Sequence, residues 1–158
     1  MAYAVLKAVH LLAAIAWIGG MFFTLACLRP ALGMLDGPLR LRLMGEVLRR
    51  FLAIVGVAIL LMLISGAWML MSTERVSRAA GLAFNLPLDW MAMIGLGLAM
   101  IAIYGHIRYG LFKRLQRAMQ AQDGPAGAAA LGAVRRWVGV NLVLGVLAVL
   151  VMRLGAAG

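Results

Sequence analysis

Apolar residues in this chain come in long blocks, and the blocks rather than any short periodicity set the elements to expect. Residues 8–28 carry no charge and one histidine, 51–71 carry no charge, and 90–107 again carry no charge beside a histidine. A fourth uncharged stretch, 137–152, is shorter, and the stems of the flanking Arg136 and Arg153 extend it by snorkelling. A membrane-crossing helix needs roughly 20 mostly apolar residues. The pattern therefore predicts four spans, at about 3–28, 48–72, 88–112 and 134–155.

Composition agrees with a bilayer as the solvent. At 65% hydrophobic residues and a mean hydropathy of +1.01, a chain of 158 residues is too apolar for a soluble domain. Short connections imply neighbouring antiparallel spans, so the expected fold is all-α: an integral membrane four-helix bundle forming one domain over 1–158.

The formal charge of +10 raises nucleic acid as a partner, but the placement of the cations argues against it. Eleven of the fifteen flank two connections: Arg29, Arg40, Arg42, Arg49 and Arg50 around the first, Arg108, Lys113, Arg114, Arg117, Arg135 and Arg136 around the third. Lys7, Arg75, Arg78 and Arg153 are left for the opposite side. By the positive-inside rule the first and third connections are cytoplasmic, and both termini and the second connection are periplasmic. These basic collars attract anionic headgroups, so the partner is the lipid bilayer.

Three features of the connections shape the expectation further. Pro30, Gly33, Asp36, Gly37 and Pro38 break the first helix, after which 40–50 form an amphipathic lead-in to the second span. The second connection, 72–87, is a modest external loop in which Glu74 and Arg75, with Asn85-Leu86-Pro87, are turn and cap material. The third, 115–133, holds Gly124-Pro125 and an alanine run and reads as a flexible link. A signal peptide ending near Thr24-Leu25-Ala26-Cys27 is opposed by the length of the apolar run and by the histidine inside it. The single Cys27 excludes an intramolecular disulfide.

Small residues mark close helix contacts in lipid. Ala16 and Gly20 form one such step, Gly95 and Ala99 another, with Gly19, Ser65-Gly66, Gly139 and Gly145 beside them. Asn141 must find a partner inside the bundle, for which a hydrogen bond between helices is the expectation.

The chemistry that stands out is imidazole in hydrocarbon, at His10 near the start of the first block and His106 near the end of the third. Trp17 and Met21 share roughly the helix face of His10 and direct it into the bundle or toward a cofactor. By depth, the outer leaflet collects Lys7, His10, Met69, Met71, Asp89, Met91, Met93 and Met152, and the inner leaflet Met21, Cys27, Tyr104, His106 and Tyr109. Thioethers with an imidazole suit a soft ion such as Cu(I). The candidate metal ligands are accordingly His10, Met69, Met71, Met91, Met93 and His106, with His10, Trp17 and His106 as candidates for holding a cofactor.

Haem b is the competing ligand, since small helical bundles with histidines also build b-type cytochromes. The depths oppose one haem clamped by both rings. His10 lies about 10 Å from the outer end of its span and His106 about 27 Å from the outer end of its own, a gap of roughly 17 Å. A histidine paired with a different axial group stays open. The five acidic residues, Asp36, Glu46, Glu74, Asp89 and Asp123, lie in or beside connections, so no carboxylate pair, phosphate loop or nucleophile with its base points to catalysis.

Lys7-Ala8-Val9-His10-Leu11-Leu12-Ala13-Ala14-Ile15-Ala16-Trp17-Ile18-Gly19-Gly20-Met21-Phe22-Phe23, followed by Leu28-Arg29-Pro30-Ala31-Leu32, resembles the first helix of the copper resistance protein D (CopD) family. Arg49-Arg50-Phe51, Ser65-Gly66-Ala67-Trp68, and Arg135-Arg136 leading to Asn141-Leu142-Val143-Leu144-Gly145 are similar to its small four-helix members. The His-x6-Trp-x-Gly-Gly pattern also resembles one in HemJ-like membrane proteins, which bind haem b and act in protoporphyrinogen oxidation. The resemblance implies a multi-pass protein of the bacterial inner membrane associated with copper movement into the cytoplasm. His10 is the residue of the shared motif suited to hold a metal or haem. The chain is shorter than the larger members, and four helices offer little interior for a pathway, which makes a homo-oligomer an attractive supplement. Three functional classes follow: copper handling across the membrane, with His10 and the outer-leaflet methionines as the capture site and His106 as an inner relay; a small haem b protein for electron transfer or porphyrinogen or quinol oxidation; and a structural subunit without cofactor.

Overall fold

Each apolar block becomes part of a helix that outruns it, chiefly at the arginine-rich end. The computed structural model describes residues 1–155, so residues 156–158 of the expected domain lie outside the described residues. Its helices are α1 (Ala2–Met34), α2 (Gly37–Ala79), α3 (Leu88–Gln120) and α4 (Gly124–Gly155). All four are long and apolar enough to cross a membrane. The 43 residues of α2 make a rod of about 65 Å, about twice the hydrocarbon thickness of a bilayer.

Local chemistry explains where these rods bend and stop. α1 widens into a π turn at Thr24–Leu28, just ahead of Pro30. Pro30 has no N–H for the Ala26 carbonyl and its ring crowds that oxygen, while the Thr24 hydroxyl donates to the Gly20 carbonyl at 2.7 Å. A 3-10 turn, Leu32–Met34, ends the rod. Asp36 then caps α2, its carboxylate accepting from the Leu39 N–H at 3.0 Å, with Pro38 in the first turn.

The amphipathic lead-in and the second span are one uninterrupted helix. Glu46 accepts hydrogen bonds from Arg49 and Arg50 one turn on, and these hold its carboxyl down at about 2. At the other end the structure corrects the sequence reading. Glu74 and Arg75 belong to α2 rather than to a turn, with Arg78 paired to Glu74, and the loop shrinks to 80–87. The stop is made by Gly81 at φ 71, with Gly81 N–H donating to Arg78 O and Leu82 N–H to Ser77 O, a Schellman closure.

The expected flexible link also disappears. α3 continues to Gln120, and after 121–123 α4 begins at Gly124. Asp123 caps it, accepting from the Ala126 N–H at 2.9 Å, and Pro125 needs no N–H in a first turn. The alanine run is the best helix-forming sequence available, so it continues the rod.

Cross-helix contacts establish an antiparallel bundle. His10 meets Ser65, and ten residues further along α1 Gly20 meets Phe51, so α1 and α2 run in opposite directions. Tyr104 of α3 reaches Leu52 of α2, while Gly145 of α4 packs on Ile18 and Met100. The core gathers Trp17, Met21, Leu48, Leu52, Val55, Phe112, Leu115 and Val134, and so sits toward the arginine-rich half. Of the expected small-residue steps, Gly20, Gly66 and Gly145 do make close contacts. Gly19, Gly95 and Gly139 meet open space, and Ala99 is exposed, so the Gly95–Ala99 step faces outward.

Candidate functional site

His10 is held by the neighbouring helix in one tautomer. Its Nδ1 lies 3.0 Å from Oγ of Ser65, a side chain with 0% exposure. The Ser65 hydroxyl gives its own proton to the Leu61 carbonyl at 2.6 Å, so toward the imidazole it acts as acceptor. With the Ser65 proton given to Leu61, the tautomer that satisfies this contact has the ring hydrogen on Nδ1 and the lone pair on Nε2. The ring lies close over Gly66, where a Cβ would come within 3.3 Å of Cε1. Ser65-Gly66 thus supplies both the orienting acceptor and the room for the ring, a role the sequence reading missed when it took the pair for packing alone.

Rotation about each helix sorts the methionines that depth had grouped. Met69 follows Ser65 by four residues and Met62 precedes it by three, so both lie on the Ser65 side of α2, and both are half-buried. Met71, two residues from Met69, is 47% exposed on the other side. On α3, Met93 shares a stripe with buried Met100, seven residues on, whereas Met91 is 53% exposed. Met62 was not anticipated, although its spacing from Ser65 carried the signal.

Trp17 is fully in the core, 3% exposed and packed among apolar neighbours with Met21. His106 lies elsewhere. It is exposed at the start of the π turn His106–Leu111, its ring edge-on to Trp137 of α4 at 5.2 Å and folded back over Gly110. Ser65 and Leu52 are thirteen residues apart on α2, about 20 Å, and they mark the levels of His10 and Tyr104. His106 is two residues beyond Tyr104, so the two imidazoles stand in separate layers, as their depths in the sequence implied.

Two other polar side chains have settled places. The Tyr104 hydroxyl donates to the Leu52 carbonyl at 2.9 Å, in space left by Gly56. Asn141 is buried, but the expected interhelical hydrogen bond is not made at its oxygen: Oδ1 has no hydrogen-bond partner among the described residues. Among those residues no group of three or more His, Cys, Asp or Glu is arranged to hold a metal.

The family model described as copper resistance protein D matches residues 45–154. The chain belongs to the copper resistance protein D family. No curated protein and no solved structure matches it. The CopD match spans α2, α3 and most of α4, and so contains Ser65, Gly66, Met69, Met93 and His106. α1 precedes the matched segment, so the ring at His10 is supplied by the unmatched helix and its orienting partner by the CopD segment.

Proposed function

We propose that this CopD-family protein takes up Cu(I) at His10, with the bacterial inner membrane as its setting. The observation that carries the reading is the hydrogen bond between His10 Nδ1 and Ser65, which with Nδ1 as the donor leaves Nε2 unprotonated, and Met62 and Met69 share the Ser65 face of α2. Met69 on α2 is the first co-ligand by position, followed by Met62; Met93 stands on α3, whose outer part packs on α4 rather than on the α1–α2 pair, and it contributes, like Met71 and Met91, only if that gap is covered. The charge asymmetry supports the His10 end as the periplasmic one and the arginine-rich end as the cytoplasmic one, so that the ion is taken up at the periplasmic face. His106, at the other end and on the bundle surface, is a second donor that receives the ion in a later exchange rather than a ligand of the same site. The step is ligand exchange, in which a bond from copper to an incoming donor replaces one to an outgoing donor and no covalent bond of the chain changes.

Cu(I) titration of detergent-purified protein against a chromophoric chelator tests this. One ion per chain is expected, with binding lost in His10→Ala and kept in Met71→Ala. Copper affinity unchanged in His10→Ala overturns the reading. So does purified protein with a Soret band and stoichiometric iron, the result expected of a haem b protein.

A further inference from the structure

The arginine-rich connections enclose a cavity that copper capture at His10 leaves unused. It has a volume of about 1070 Å³ and is lined by all four helices near their arginine-rich ends. Leu32, Leu48, Val134 and Val138 give it apolar walls. Arg29, Arg40, Arg42 and Arg135 also line it, and no Asp or Glu does.

Among the described residues those four guanidinium groups form no ion pair. The ion pairs among the described residues use Arg49, Arg50 and Arg78. The carboxylates near them in sequence are engaged elsewhere: Asp36 and Asp123 accept from the Leu39 and Ala126 N–H groups at the helix caps, and Glu46, four residues from Arg42, is paired with Arg49 and Arg50. Gly33, Gly37, Gly124 and Gly132 also line the hollow, and a Cβ built on any of them meets open space.

The depth of the cavity identifies the class of ligand. The uncharged blocks end at residues 28 and 107 and begin at 51 and 137, while the lining runs over 24–48 and 118–138. The cavity therefore straddles the edge of the hydrocarbon, with apolar walls and arginines together. An inorganic anion would pair with the arginines but leave the walls wet, and a zwitterionic lipid would bring its own cation to the same place. A negatively charged phospholipid satisfies both, its phosphate taking forked hydrogen bonds from guanidinium groups and the upper part of its acyl chains covering the apolar wall.

We propose that this cavity is a binding site for one anionic phospholipid, independent of the copper reading. Purified protein is exchanged into mixed micelles containing phosphatidylglycerol or phosphatidylcholine, and retained lipid is counted by native mass spectrometry. One phosphatidylglycerol per chain is expected, in preference to phosphatidylcholine. Arg29→Gln combined with Arg135→Gln should weaken retention by about tenfold or more. Gly132→Phe should do the same by filling the hollow without changing charge, and Arg75→Gln with Arg78→Gln, at the other end, should leave retention unchanged.

Equal retention of the two lipids by the unaltered protein overturns the proposal, and that comparison does not depend on any variant folding. So does phosphatidylglycerol retention that survives both cavity variants. Displacement of the lipid by millimolar inorganic phosphate assigns the site to a free anion and likewise overturns it.

Discussion

A single hydroxyl decides which nitrogen of His10 can meet a metal. With Ser65 accepting from Nδ1, the ring presents Nε2; without it, the two tautomers of an imidazole are close in energy and the orientation is lost. Ser65→Ala is expected to weaken Cu(I) binding by about 10- to 100-fold. Ring nitrogen chemical shifts should change from one tautomer to a mixture, a signature that mere loosening of the helix pair would not give. The histidines, their separate depths and the family resemblance were legible in the residues. The partner was not, because Ser65 and His10 are 55 positions apart and only helix pairing brings them together. Likewise the methionine set at the His10 end was chosen by depth, which hydropathy reveals. Azimuth, which turns Met71 and Met91 outward, depends on the neighbours each helix finds.

Helix ends follow the chemistry of caps, which explains why sequence boundaries failed on two sides of the molecule. Turn-forming residues at 72–87 and 115–133 were present, but Gly81 and Asp123 are the groups that place the actual ends. Gly81 adopts φ 71, a conformation that costs an alanine roughly 1 kcal/mol or more. Gly81→Ala is therefore expected to destabilise the protein by about 1 kcal/mol in denaturant titration, with copper binding intact. An equal or higher stability would show that the Schellman closure contributes nothing. Farther along α2, Glu46 is bound by two arginines and keeps its charge to about pH 2. Its contribution is present above the ordinary carboxylate range and fades as pH falls through that range toward about 2.

At the level of the whole molecule, orientation sets the direction in which any ion would pass. The excess of cations on the helix ends flanking the 35–36 and 121–123 connections predicts that this end stays in the cytoplasm. In a Cys27→Ser background, Ala83→Cys should react with a membrane-impermeant thiol reagent in spheroplasts, and Gln122→Cys should react only after lysis. The reverse pattern would place His10 on the cytoplasmic side and remove its role in capture. The buried core lies mainly in the arginine-rich half, where Phe112 and Leu115 fill the space between helices, and the cavity opens beside it. Rigid packing at one end and a bound lipid at the same end would leave the His10 end as the part that exchanges ligand.

What the amino-acid order determined alone was the solvent, the number of helices and the end at which positive charge collects. Those depend on the free energy of moving side chains from water to hydrocarbon, which adds up along a chain without reference to fold. Which nitrogen of His10 is free, which methionines turn inward and where four arginines surround a hollow were decided by tertiary structure. Each of these depends on how one helix is rotated against another, and that rotation is fixed by contacts such as Gly20 with Phe51 and Gly145 with Ile18.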